Sequence, residues 1–261
     1  MFKNLYRHKE LIWTLVKREF ASKYKRSILG IVWSFLQPVF LLITYTFVFS
    51  EVLQIKFRAN DNSADSALCL FCGIISWMAF SETLTRSASI ITENANLVKK
   101  VVFPLEILPV VLALTSLIHF CIDLAILFIG ILIINQSIHW TLILIAGILI
   151  PQFFLMVGLG WFLSSIGVFI RDTRTILGMI LTVWMFLTPI FYPSEIIPQK
   201  FQFMMNLNPM KIFIDSYRNA LLMGTIPDIG NFIFASSLAV GIYLLGYYWF
   251  MKTRHLFADM I

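Results

Sequence analysis

Few side chains in this 261-residue sequence combine type and spacing in a way that chemistry needs. His119 and Asp123 stand four apart, which puts both on one face of a helix. Both lie inside an apolar run. Ionisable groups in such a run mark either a functional site or a hydrogen-bonded pair holding two helices together. Glu82 and Arg86 repeat the spacing at the end of another run, in the order that favours an ion pair within one helix. Cys69 and Cys72 have the spacing of a redox pair. Like Cys121, they sit in apolar stretches without companion ligands and read as small buried hydrophobes. The sequence contains no GxxxxGK[ST] loop, no HExxH and no Cys/His cluster at metal spacing. It therefore points to no catalytic residue, no metal site and no nucleotide held in a P-loop.

Aromatic residues are the other candidate chemistry, at 15% of the chain. Phe40, Tyr45 and Phe47 cluster in one apolar run, and Trp184, Phe186, Phe191 and Tyr192 in another. Sugar rings stack on aromatic faces and slide along them, which suits a translocated polymer. The same residues also serve as lipid-facing or packing groups.

The elements that must position these groups are membrane spans. Hydrophobic residues make up 59% of the chain, charged residues 13%, and the mean hydropathy is +0.84. A soluble domain is far less apolar. At about 20 residues per crossing, the sequence holds six spans. They fall at 28–50, 66–84, 105–134, 140–170, 175–192 and 231–251. Gln37-Pro38 predicts a kink in the first, and Pro151 lies in the fourth. Glu106 falls near the end of the third, where a charge costs little. Residues 1–27 form a basic amphipathic helix. Phe2, Leu5, Tyr6, Ile12, Trp13, Val16, Phe20 and Tyr24 share one half of its wheel, and Leu11 and Leu15 interrupt the polar half. Such a helix lies in the headgroup layer as a topology anchor or touches a partner. Its fusion to a span argues against nucleic acid. No cleavable signal pattern is present.

Fifteen of the twenty lysines and arginines fall in the N-terminal run, the loops after spans two and four, and the tail at 252–261. This excess places both termini in the cytoplasm, in agreement with an even span count. Residues 193–230 are too apolar for a free loop, and prolines divide them too often for a crossing. Two short re-entrant helices at the outer mouth fit them, or an external cap on spans five and six.

Several ordered motifs carry a family resemblance. They are Arg18-Glu19-Phe20, Tyr24 to Gly30 with Trp33, Gly73 to Phe80, Asn94 to Pro104, Arg171-Asp172, Pro189 to Tyr192, Asn208-Pro209-Met210 and Tyr217-Arg218. In this order they resemble the membrane subunit of ABC-2-type polysaccharide exporters, of the O-antigen, capsule and teichoic-acid kind. The resemblance implies a single transmembrane unit over 1–261 that forms a homodimer in the bacterial cytoplasmic (inner) membrane. It implies two copies of a separate ATPase that binds ATP and magnesium, so this chain carries no cofactor and is no enzyme. The cargo it implies is an undecaprenyl-pyrophosphate-linked glycan, with membrane lipids around the subunit. It assigns ATPase coupling to the N-terminal helix and to Glu93, Asn94, Asn96, Lys99 and Lys100. Lys23, Lys25, Arg26, Arg171 and Arg174 are then placed to hold the lipid pyrophosphate by charge. Phe40, Tyr45, Phe47, Trp184, Phe191 and Tyr192 are the channel aromatics, and 193–224 the outer gate. Two alternatives stay open: an ABC-2 exporter of a small lipid or drug, and a membrane enzyme acting on prenyl-linked sugars through His119 and Asp123.

Overall fold

A computed structural model describes residues 6–260 except 26, 53, 55, 58–62, 100–102, 135, 137 and 138. All regular structure among the described residues is helical. Helix α1 is Lys9–Tyr24. A 3₁₀ turn at Gly30–Val32 leads into α2, Trp33–Tyr45, which widens into a π-helical turn at Thr46–Val52. Helix α3 is Ser63–Ser87, followed by the short α4, Ile90–Glu93, and α5, Ala95–Val98. Helix α6 is Ile107–Ile134, and α7 is Leu144–Phe169. Then come α8, Thr173–Leu187, α9, Gln199–Asn206, and α10, Pro209–Arg218. Helix α11 is Ile229–Thr253, and α12 is Phe257–Met260.

Among the described residues, five helical stretches are long and apolar enough to cross a membrane: Gly30–Phe49, Ala64–Ser87, Ile107–Ile134, Trp140–Phe169 and Ile229–Met260. The protein is an all-α, multi-pass membrane protein. The fifth run in the sequence behaves differently. Helix α8 has 15 residues. That is about 22 Å of rise, short of the roughly 30 Å hydrocarbon core. It stops at Leu187 because Thr188 precedes Pro189 and adopts an extended conformation (φ −99°, ψ 131°). The proline ring disfavours a helical residue before it. In the first run, α2 continues past Pro38 and the winding changes only at Thr46.

Helix α3 is the axis of the bundle. Leu68, Leu70, Phe71, Cys72, Ile75, Phe80 and Leu84 are buried along it. Helices α6, α7 and α10 pack around it. Cys69 and Cys72 are buried as expected, whereas Cys121 is exposed on the uncovered side of α6. Helices α7 and α11 cross at closest approach through two glycines. A Cβ on Gly158 would lie 2.6 Å from Tyr243 Cα, and one on Gly246 would lie 2.1 Å from Gly158 O. Small residues of this kind let helix backbones meet in a membrane, where apolar burial alone does not drive association.

Helix α1 packs on protein. Its Ile12, Leu15 and Val16 are buried against Ile107 and Val111 of α6, with Leu11 packed beside them. The two leucines that interrupt the polar half of the wheel belong to this contact. Tyr6 and Trp13 point away, with Lys9 and Lys17 ammonium groups 5.0 and 5.5 Å from their ring centres.

Candidate functional site

Four ion pairs collect at the end of the bundle that holds the termini: Lys23–Glu82, Glu19–Arg86, Glu93–Arg174 and Glu106–Arg254. The Glu82–Arg86 pairing expected within one helix is replaced by two pairings across helices. Lys23 Nζ lies 2.8 Å from Glu82 Oε1, and Arg86 binds Glu19. Both partners come from α1, which supplies opposite charges one turn apart to meet those one turn apart on α3. Tyr24 Oη lies 3.4 Å from His119 Nδ1, and the Phe20 ring stacks on His119 at 4.9 Å. His119 is thus held by α1. Burial, reinforced by the Glu82 and Asp123 carboxylates, raises the Tyr24 phenol above its ordinary value and keeps it protonated.

The segment after α3 is locked to α7. Ile90 and Ile91 are buried, and Asn94 Nδ2 donates to Ile90 O at 2.9 Å. A Cβ on Gly167 would lie 1.8 Å from Ala88 O, so only glycine allows this contact. Ser89 Oγ donates to Glu93 Oε1 at 2.7 Å, and Arg174 Nη1 approaches the same oxygen at 3.6 Å. Glu93 and Arg174, given separate roles by the resemblance, therefore meet. Asn96 and Lys99 are exposed; Lys100 and Arg26 lie outside the described residues. Lys25 and Arg171 are exposed. Glu106 is only 2% exposed, which corrects the inexpensive helix-end position read from the sequence. Its carboxylate is matched by Arg254 Nη1 at 3.4 Å, and its carbonyl accepts from Trp161 Nε1 at 2.8 Å.

The six aromatic candidates divide into groups. Phe40 is exposed on α2, and Phe47 on the π-helical turn that follows it. Tyr45 and Phe191 join Phe49 in a cluster, with the Phe49 and Phe191 rings stacked at 5.6 Å. Tyr192 Oη donates to Phe186 O at 2.9 Å. Trp184 turns into the bundle, edge-on to Trp77 and Phe80, and its Nε1 donates to Asn208 Oδ1 at 3.1 Å. Asn208 also accepts from Met210 N and so caps α10, with Pro209 at the first helical position.

At the far end stands a residue that charge counting also puts opposite the termini. Arg218 is 3% exposed. Its Nε donates to Cys69 O at 3.1 Å, Nη1 to Pro189 O at 2.8 Å and Nη2 to Ile190 O at 2.8 Å. Its guanidinium carbon lies 4.7 Å from the Phe57 ring centre. Two of these carbonyls, Pro189 and Ile190, lie just past the end of α8, and the third belongs to α3. A lone arginine closing the periodic apolar pattern of 209–218 was the available signal. Next to it, Tyr217 Oη donates to Gln152 Oε1 at 2.6 Å, and Gln152 Nε2 donates to Ser76 O at 3.3 Å. This chain of bonds ties α10 to α7 and α3.

The profile of the ABC-2 type transporter family matches residues 10–222. The chain is 28% identical over 263 aligned positions to the O-antigen export system permease protein RfbA of Myxococcus xanthus, covering 100% of this chain and 99% of that protein. It is 27% identical over 259 positions to a protein of the same name from Klebsiella pneumoniae, covering 97% of this chain and 95% of the relative. A second K. pneumoniae protein of that name is 26% identical over 257 positions.

Proposed function

This chain belongs to the ABC-2 type transporter family, and from that premise we propose that it is the channel-forming subunit of an ATP-driven exporter of lipid-linked, O-antigen-like polysaccharide. The observation that carries this reading is the similarity, over 97–100% of the chain, to three permeases named for O-antigen export. Two copies enclose the path in the bacterial cytoplasmic membrane, with both termini in the cytoplasm. Each copy carries one ATPase subunit, which binds ATP and magnesium; this chain hydrolyses nothing. The exposed faces of α2 with the turn that follows it (Phe40, Ile43, Phe47) and of α8 (Met179, Val183, Phe186) are apolar and aromatic and line the path or the contact between copies.

The ATPase docks on the segment from Glu93 to Lys100. Gly167 and Arg174 make that segment one body with α7 and α8, so movement of the partner is passed to the path. Lys25 and Arg171, exposed at the same end, meet the lipid pyrophosphate of the undecaprenyl carrier. Lys23 and Arg174 reach it by exchanging Glu82 and Glu93 for phosphate. Helices α9 and α10 dip into the outer leaflet as a re-entrant gate.

The test is co-purification with the candidate ATPase, then ATP hydrolysis in nanodiscs with and without lipid-linked glycan. A two-plus-two complex whose hydrolysis responds to the glycan lipid is expected. Failure to bind any nucleotide-binding subunit overturns the reading.

A further inference from the structure

The end of α1 together with α2, α3 and α6 encloses a cavity of about 50 Å³. Lys23, Tyr24, Gln37, Glu82, His119 and Asp123 are among its walls. The polar groups here are only partly matched. Lys23 is taken by Glu82 and Arg86 by Glu19. His119 Nε2 is buried with no hydrogen-bond partner. Among the described residues, Asp123 makes no hydrogen bond or ion pair, and the charges it feels are those of Lys23 and Glu82. Counting Lys23, Glu82 and Asp123, the walls hold one positive and two negative charges. A surplus carboxylate between apolar helices is expensive unless something compensates it.

Protonation would relieve Asp123 alone; a group that leaves it ionised and also serves His119 Nε2 carries one positive charge and more than one hydrogen-bond donor. The space holds about three water-sized groups. No set of three His, Cys, Asp or Glu among the described residues is arranged to hold a metal ion. We infer that this cavity is a binding site for a primary ammonium group. Asp123 takes its charge, and a second N–H is donated to His119 Nε2. The ring adopts the tautomer in which Nδ1–H donates to Tyr24 Oη. A quaternary ammonium has the charge but no N–H, so choline does not fit. The ammonium is presented either by an aminophospholipid headgroup or by an amino sugar. The inference rests on the cavity and does not require the exporter reading.

The test uses the full chain, alone or with its ATPase, and reads retained ligand without any transport step. The protein is reconstituted in nanodiscs of phosphatidylcholine and phosphatidylglycerol, with or without phosphatidylethanolamine. Native mass spectrometry then counts bound lipids. A parallel arm adds glucosamine to discs that lack phosphatidylethanolamine. Wild type is expected to favour the primary amine over choline at least about tenfold. Asp123→Asn, which removes the surplus charge and keeps the shape, is expected to lose that preference, and His119→Gln to weaken it. Retention of phosphatidylethanolamine alone assigns the lipid source, and retention of glucosamine alone the sugar. Equal retention of amine and choline by wild type, or an undiminished preference in Asp123→Asn, overturns the inference.

Discussion

The two ends of the bundle solve the problem of charge near a membrane in opposite ways. At the end that holds the termini, two of the ion pairs stand partly in water: the Arg174 and Glu93 side chains are 60% and 51% exposed, those of Lys23 and Glu82 37% and 28%. Each such pair contributes about 0.2–1 kcal/mol and exchanges partners cheaply. At the far end, Arg218 is sealed off and spends its donors on three carbonyls from two chain segments. Its Nη1 also lies 3.8 Å from Asp215 Oδ1. The first arrangement suits a surface that must re-pair as partners move. The second fixes the point where α8 unwinds and the broken segment begins.

The largest effect that would break this contrast is expected at Arg218. Arg218→Met removes the charge but strands the carbonyls of Cys69, Pro189 and Ile190. Leaving buried acceptors and their site unmatched costs about 3–5 kcal/mol. Thermal unfolding in detergent should show it, with new proteolysis between α8 and α9. Arg218→Lys, a point donor without the planar fork, should recover only part. If Arg218→Met unfolds no earlier than Lys23→Met, the two ends do not differ as described.

Next in size is Gly167→Ala. The added methyl would overlap Ala88 O, a backbone atom that cannot rotate away. Overpacking of this kind costs about 1–3 kcal/mol. Helices α4 and α5 must lift from α7, so export per ATP hydrolysed should fall further than stability does. Retention of full coupling in reconstituted complexes would show that this segment does not transmit movement.

Trp184 and Phe40 sharpen the comparison within the aromatic set. Trp184→Leu loses two edge-on ring contacts and the bond to Asn208, so about 1–3 kcal/mol of stability should go. Phe40 is exposed, so Phe40→Leu should leave unfolding within about 0.5 kcal/mol of wild type and act on export alone. Equal destabilisation by the two would remove the distinction between packed and exposed aromatics.

Much of this organisation was legible in sequence, and the parts that were not share a cause. Apolar runs gave the positions of α2, α3, α6, α7 and α11, and the prolines at 189, 193, 198 and 209 marked the broken stretch between α8 and α11. Periodicity reports neighbours on one helix and is silent about neighbours across helices. Glu82 and Arg86 therefore looked like partners until α1 supplied Lys23 and Glu19. The burial of Arg218 was not legible because a sequence does not show three carbonyls converging on it. Gly167, Gly158 and Gly246 carried a readable hint, being small residues inside apolar helices. Which backbones they admit is a property of the packed bundle.

The smallest effect tests the exchangeable end most directly. Glu93 and Arg174 lie 3.6 Å apart and largely in solvent, so either Glu93→Gln or Arg174→Gln should cost under about 1 kcal/mol in unfolding. Their coupling, measured by a double-mutant cycle, should be similarly small and shrink with salt. The consequence for function should be larger than for stability, because the pair joins the segment proposed to dock the ATPase to the turn that opens α8. Exchanging the two charges, Glu93→Arg with Arg174→Glu, keeps the attraction and reverses its direction. Export restored by the exchange, after loss in each single reversal, would show that the pair acts through its mutual attraction. Loss that persists in the exchanged protein would mean that one of the two charges faces a partner outside this chain, and that the pairing seen here is its resting place.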